Sequence, residues 1–316
     1  MQMKLTALES RALAQLEEKK ESLFSLLQTL VRFDTQNFGN DGKEAACAEF
    51  IRQLYEKQGL ETTLYYPDSV PGVVQSPLYW PGQHTDTRPN VTGIRWGADR
   101  TERVMLAAHI DTMPTGDVSL WKYGPFNPVI EDGHLIGLGS CDDKFGIAGA
   151  FIALQTLDEL GICLKKTVVL NSYCDEEFGG GNGAVAAAMQ CPCQTLVNLD
   201  GGSYEMWATA LGGGCYQLRL HREATSDDCM HVYRVLAQVM QELEQFGARR
   251  RAEDAIFCVL ASAENAVSPG SRQARQGVRS CQTGHQPELC QNYRALLCDM
   301  GPGNCFGAVC FRHVRL

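Results

Sequence analysis

Nowhere in this 316-residue sequence does an apolar run reach the length of a membrane span. Positive charge is scarce as well. Lys and Arg number 28 against 37 Asp and Glu, giving a formal net charge of −9. Nucleic acid and anionic membrane both reward a basic face, so neither is expected as a partner. The opening stretch, "MQMKLTALESRALAQLEEKKESLF", is amphipathic and charged, and it lacks the apolar core of a signal peptide. No internal repeat and no low-complexity tract is visible. Together these absences point to a cytoplasmic protein, in which the 14 cysteines are reduced thiols and not a disulfide framework. "CPC" at 191–193 reads either as small residues beside a turn or as a pair of soft-metal ligands.

What is present is an ordinary globular balance, 44% hydrophobic and 21% charged, in a chain long enough for two domains. Apolar residues recur at helical spacing over 5–32, and "KEAACAEFIRQLYEK" (43–57) predicts a second helix stopped at Gly59. Strands are predicted at "LETTLYY", "NVTGIRW", "RVMLAAH" (103–109), "KTVVLNSYC" (166–174) and "QTLVNLD" (194–200), the last three buried. Helices fall between them at 143–160 and in "GNGAVAAAM", while the Pro/Gly-rich stretch 69–90 reads as a long surface loop. This alternation predicts an α/β domain with a largely parallel sheet. Beyond it, "CYQLRL" (215–220) reads as a strand and 227–246 as an amphipathic helix, the start of a second unit. Residues 258–316 are rich in Cys, Arg and Gln, and their weak periodicity supports no assignment.

Three of these strands end in candidate metal ligands. They are His109, with Asp111 two residues on; the run Asp175, Glu176, Glu177; and Asp200. Asp142 and Asp143 open the 143–160 helix. Singly, each has an ordinary reading. The HxD could be a surface turn, the Asp pair a helix N-cap, the acidic run a solvated face and Asp200 an Asx-turn. Together they converge, because ligands in open α/β sheets sit beyond the carboxyl ends of the strands. Carboxylates crowded there would repel one another unless some took up protons or a divalent cation were bound. Imidazole with carboxylates suits zinc, and also manganese or cobalt.

In order and spacing, "HIDTMPTGD", "PFNPVIEDGHLIGLGSCDDK", "SYCDEEFGG" and "NLDGG", with "RPNVTG" before them, resemble a family of co-catalytic zinc metallohydrolases. Acetylornithine deacetylase, succinyl-diaminopimelate desuccinylase and glutamate carboxypeptidase belong to it, as do related dipeptidases and tripeptidases. The resemblance covers roughly residues 20–245. It implies a mixed, largely parallel sheet flanked by helices, a zinc-exopeptidase-like catalytic domain, followed by the start of an α+β lid. It also implies His109 as a ligand of the first metal and Asp111 as the carboxylate that orients it. Asp142 would bridge two metals and be followed by a cis peptide. Glu176 would be the general base, Glu177 a ligand of the second metal, and Asp200 the remaining acidic ligand of the first. Two Zn2+ are implied, with Co2+ or Mn2+ as alternatives. The implied reaction is hydrolysis of an amide bond in N-acyl amino acids or short peptides by a hydroxide generated at the metals.

The resemblance sets the expected organisation as a catalytic domain over 1–210, a partial lid or dimerisation domain over 211–247, and an atypical segment over 248–316. In the family a complete lid and returning strands follow, and a histidine near the end completes the second metal site. His285, in "TGHQPE", and His313 are the candidates here. The short remainder is read as truncation within the lid or as a shifted reading frame. A homodimer through lids is expected only where the lid is complete. The alternative function is accordingly an impaired homologue that binds metal or a partner without turnover.

Overall fold

The computed structural model describes residues 5–179, 181–200 and 231–264. The chain divides into two units, Met1–Glu205 and Met206–Leu316. In the first unit five strands form one sheet: β1 (Glu61–Tyr65), β2 (Asn90–Arg95), β3 (Asp99–His109), β6 (Lys166–Tyr173) and β7 (Thr195–Asn198), in the spatial order β1-β2-β6-β3-β7. β2 is antiparallel to both its neighbours, while β3 is parallel to β6 and to β7. β2 therefore runs against the other four strands. The mixed, largely parallel sheet flanked by helices that the sequence implied is present.

Strand periodicity divides the side chains between two faces. On one face Leu106, Ala108 and Leu170 meet α2 (Lys20–Val31), α3 (Ala45–Lys57) and α4 (Lys144–Glu159), through residues such as Leu30, Ile51, Tyr55, Ile147 and Phe151. On the other face Met105, Ala107, Val169 and Tyr173 pack with Cys191. There α5 (Asn182–Gln190) covers Tyr65, Val70 and Val73 through Ala186. Each face also carries buried polar contacts. Tyr55 Oη lies 3.0 Å from Ser172 Oγ on the first, and Asn171 donates to Thr92 Oγ1 at 2.7 Å on the second.

In the first unit the elements depart from the periodicity reading in four places. The helix predicted over 5–32 is two helices, α1 (Ala7–Glu18) and α2, which break at Lys19. Lys19 Nζ is tied to Glu159 and Gln155 on α4, and only α2 buries apolar side chains in the core. β3 begins at Asp99, four residues before the predicted start, across a register irregularity between Asp99 and Arg103. A short hairpin, β4 (Val129–Glu131) with β5 (His134–Ile136), turns through Asp132 and Gly133, both at positive φ. An Asp-Gly pair between apolar residues is the sequence signal for such a turn. Finally, the strand predicted as buried at 194–200 lies at the edge of the sheet among the described residues, and Leu196 is 51% exposed. In the second unit α6 spans His231–Glu264, which covers 231–246 of the predicted helix and continues beyond its predicted end; residues 227–230 lie outside the described residues. The strand predicted at 215–220 lies outside the described residues.

Two glycines of α4 give opposite expectations. A Cβ at Gly146 would lie 2.7 Å from Asp143 Oδ1, 2.8 Å from Leu199 Cβ and 2.9 Å from Ala108 Cβ, whereas one at Gly149 meets nothing within 4 Å. Gly146→Ala should therefore destabilise the fold by about 1–3 kcal/mol through overpacking. Gly149→Ala should stabilise it by roughly 0.5–1 kcal/mol through helix propensity. Urea unfolding of both variants checks the pair, and equal effects would contradict the packing described.

Candidate metal centre

The parallel register places His109 opposite Tyr173 at the end of β6, and Ala107 opposite Asn198 on β7. The acidic run after β6 and Asp200 after β7 therefore emerge beside His109, at the same end of the sheet. The Asp142–Asp143 peptide before α4 is cis.

His109 is fully buried. Its Nε2 lies 2.8 Å from Asp142 Oδ1 and 3.9 Å from Glu176 Oε2. Its Nδ1 lies 2.9 Å from the main-chain carbonyl of Asp111, while the Asp111 carboxylate stands at 3.6 Å. The close contact on Nδ1 is thus with the backbone of Asp111 and not with its side chain. That carboxylate does something else. Its Oδ2 accepts from Asn37 Nδ2 at 2.8 Å and from the amides of Glu176 at 2.9 Å and Glu177 at 3.1 Å. One buried carboxylate thereby holds the backbone of two acidic residues whose own side chains face His109. Glu177 Oε1 in turn accepts from the Met113 amide at 3.1 Å.

Asp143 stands at the N-cap of α4, yet its side chain caps nothing. Its Oδ2 instead accepts the amide of His109 at 3.1 Å. Asp142 keeps a side chain 63% exposed. Ligand atoms of His109, Glu176 and Asp200 lie within 4.8 Å of one another, as do those of His109, Asp142 and Glu177. The structure therefore brings together all four residues singled out as metal ligands, with His109 common to both groups.

The electrostatics match this crowding. Burial pushes the Glu176 carboxyl up to about 7; the charge on His109 opposes this, and Asp111, Asp200 and Asp142 add to it. Burial, then Asp142, takes Glu177 to about 8. Asp143 rises to about 7 and Asp200 also rises, in both cases chiefly through burial. Burial disfavours a charged His109, but the hydrogen bonds and charges of Asp111, Asp142 and Glu176 outweigh it and raise its pKa well above the ordinary value. For Asp111, burial is overcome by His109, Asn37 and the Glu177 amide, which hold it at about 2. Its Oδ1 is buried without a hydrogen-bond partner. An imidazole among unbalanced carboxylates is a donor set that fits a divalent cation.

Three contributors were not among the residues singled out from sequence: Asn37, Asp143 as a side chain behind His109, and Arg88 of "RPNVTG". Arg88 is buried between Glu44 and Asp175. Asp143 sat beside a chosen aspartate, but no local pattern marks Asn37. Cys191 of the "CPC" motif is buried, with its sulfur 3.4 Å from Arg103 Nη1. His285 and His313 lie outside the described residues.

Residues 105–245 match the sequence profile of Peptidase family M20/M25/M40, a stretch that includes His109, Asp142, Glu176, Glu177 and Asp200. The match falls on the residues whose motifs resemble that group of metallohydrolases. An uncharacterized metallohydrolase of Methanocaldococcus jannaschii is 39% identical over 97 residues, 30% of this chain and 23% of that protein. The N-formyl-4-amino-5-aminomethyl-2-methylpyrimidine deformylase of Halalkalibacterium halodurans is 28% identical over 180 residues, 56% of this chain and 37% of that one. The chain thus spans about a quarter to a third of the length of these curated relatives. Among solved structures, human carnosine dipeptidase 1 aligns with a TM-score of 0.45 at 16% identity, covering 65% of this chain and 44% of that one.

The raised groups carry a pH signature. Each binds its proton more tightly folded than unfolded, so its stabilising contribution is complete below the unfolded pKa and is lost as pH rises through the folded one. The window lies near pH 7 for Glu176 and Asp143 and near pH 8 for Glu177. Asp111, held at about 2, contributes in the opposite sense, above its ordinary pKa, and stays constant across this window. Metal-free protein should therefore lose roughly 3 °C or more in Tm between pH 6 and pH 9. Added zinc should remove that slope. Scanning calorimetry with chelator and with zinc tests this, and a flat metal-free profile would contradict the crowding.

Proposed function

We propose that this chain carries the catalytic unit of a metal-dependent hydrolase that cleaves an amide bond in N-acyl amino acids or short peptides. The observation that carries the reading is the gathering of His109, Asp142, Glu176, Glu177 and Asp200 into two overlapping ligand groups. The matched family and the metallohydrolase and deformylase names among its relatives support it. Zinc is the proposed metal, with cobalt or manganese as alternatives, held by His109, Asp142, Glu177 and Asp200. When bound, such ions polarise the amide carbonyl and lower the pKa of water.

The chain's own residues supply the rest. Glu176, whose Oε2 lies 3.9 Å from His109 Nε2 among the candidate ligands, is placed to take a proton from the attacking water and to pass it to the leaving amine. Asp111 keeps Glu176 and Glu177 in place through their amides. With Nδ1–H donating to the main-chain carbonyl of Asp111, the Nε2 lone pair would be turned toward the acidic side chains and available to a metal. Asp143 steadies the His109 backbone. Among the described residues no helix is long and apolar enough to cross a membrane. The proposed substrates are small molecules, and the proposed location is the cytoplasm.

A panel of N-formyl, N-acetyl and N-succinyl amino acids and dipeptides, assayed with zinc, cobalt or manganese, tests the reading. Hydrolysis should stop on chelation. Glu176→Gln should lower kcat by about 10²–10⁴-fold, the usual contribution of a general base. Metal content, near two per chain in the parent, should persist in the variant. Bound metal without turnover on any substrate would favour the impaired homologue. Turnover indifferent to both chelator and Glu176→Gln would sink the hydrolase.

A further inference from the structure

We infer that Arg88 is a positioning residue for the acidic run 175–177, acting through Asp175. Its consequence for catalysis rests on the hydrolase reading above, but the tether itself does not. The Arg88 side chain is fully buried. Its Nε and Nη2 donate to one oxygen of Glu44, at 2.9 and 2.5 Å. Nη1, on the far arm, donates to Asp175 Oδ1 at 3.0 Å and to the Gln83 carbonyl at 3.1 Å. The same segment also holds the neighbouring residue, once through backbone and once through a side chain. The Arg88 carbonyl accepts from Cys174 Sγ at 3.0 Å, and Asn90 Oδ1 accepts the Cys174 amide at 3.1 Å.

Asp175 lies two residues beyond the end of β6, at φ 63°, a conformation that side-chain-bearing residues seldom adopt. The next two amides are those held by Asp111. The run is therefore clamped from two directions: Arg88 takes the Asp175 side chain, and Asp111 takes the backbone of Glu176 and Glu177. These anchors hold the backbone of the two glutamates where their carboxylates come close to His109. A guanidinium suits this task because its planar fork engages two carboxylates on different arms at fixed angles, which a lysine ammonium cannot reproduce. Nor can the fork slide. A Cβ at Gly42 would stand 2.3 Å from Glu44 Oε2 and 2.5 Å from Arg88 Nε, so the main chain is packed directly against the pair. Cohesion of the core would be served by the Arg88–Glu44 pair alone. The second carboxylate lies where the site begins, and neither Arg88 nor Glu44 is among the candidate ligands.

Arg88→Lys, Asp175→Ala and Asp175→Asn in the full chain test this. The first readout is amide hydrogen exchange in metal-free protein, which needs no activity. Arg88→Lys and Asp175→Ala should speed exchange at Glu176 and Glu177 by about 10-fold or more while β3 and β6 stay protected. Asp175→Asn keeps an acceptor oxygen and tolerates positive φ, and it should restore most of that protection. The second readout is steady-state kinetics with zinc. A misplaced general base costs up to about 10²-fold in rate, so Arg88→Lys should lower kcat 10–100-fold, with KM within about 2-fold and metal content unchanged. Faster exchange at these amides in a wild-type background that turns over nothing would support the tether and count against the hydrolase. Exchange that rises evenly across the sheet, with kcat per folded molecule intact, would overturn the proposal and leave Arg88 as core cohesion only.

Discussion

The architecture depends on a repulsion that the fold does not relieve. Asp111, Asp142, Asp143, Glu176, Glu177 and Asp200 all act on one buried imidazole, and most are pushed above ordinary carboxyl pKa values by burial and by one another. A protein selected for stability alone would replace such groups with apolar side chains, since buried charge is repaid only when it is well paired. Their gathering at one end of the sheet, around His109, fits a site for a divalent cation.

Holding like charges together requires the backbone to resist their separation. Two carboxylates that are not themselves candidate ligands serve this end. Asp111 ties the amides of the acidic run to the loop of Asn37, and Asp143 accepts the His109 amide from the start of α4. Arg88, Glu44 and Asp175 form a buried ion cluster behind the same run. His109, Glu176 and Glu177 are thus fixed through their main-chain amides, which leaves the work of holding the site to groups other than the candidate ligands.

Much of this was legible in order along the chain. The apolar runs into His109, the acidic run and Asp200 marked strand ends, and the spacing of four motifs marked the candidate ligands. The reading was weakest where the deciding contact is distant. The break at Lys19 follows from α4, more than a hundred residues away. The exposure of Leu196 follows from β7 lying at the edge, which no local pattern reports. Asp143 looked like a helix cap because its position is that of one, yet its carboxylate turns to His109.

The sequence by itself determined the chemistry available: an imidazole and carboxylates, each placed at the end of an apolar run, in an acidic chain unsuited to polyanions. Only the tertiary structure decided which of these atoms meet, that the backbone of Asp111 and not its side chain makes the close contact with Nδ1, and that Asn37 and Arg88 stand behind the site. The division has a physical cause. Periodicity and residue type are local properties, set within a few residues by backbone geometry and burial. Distances between strand ends are set by the register of parallel strands joined through long crossovers, and that register is fixed by packing across the whole sheet.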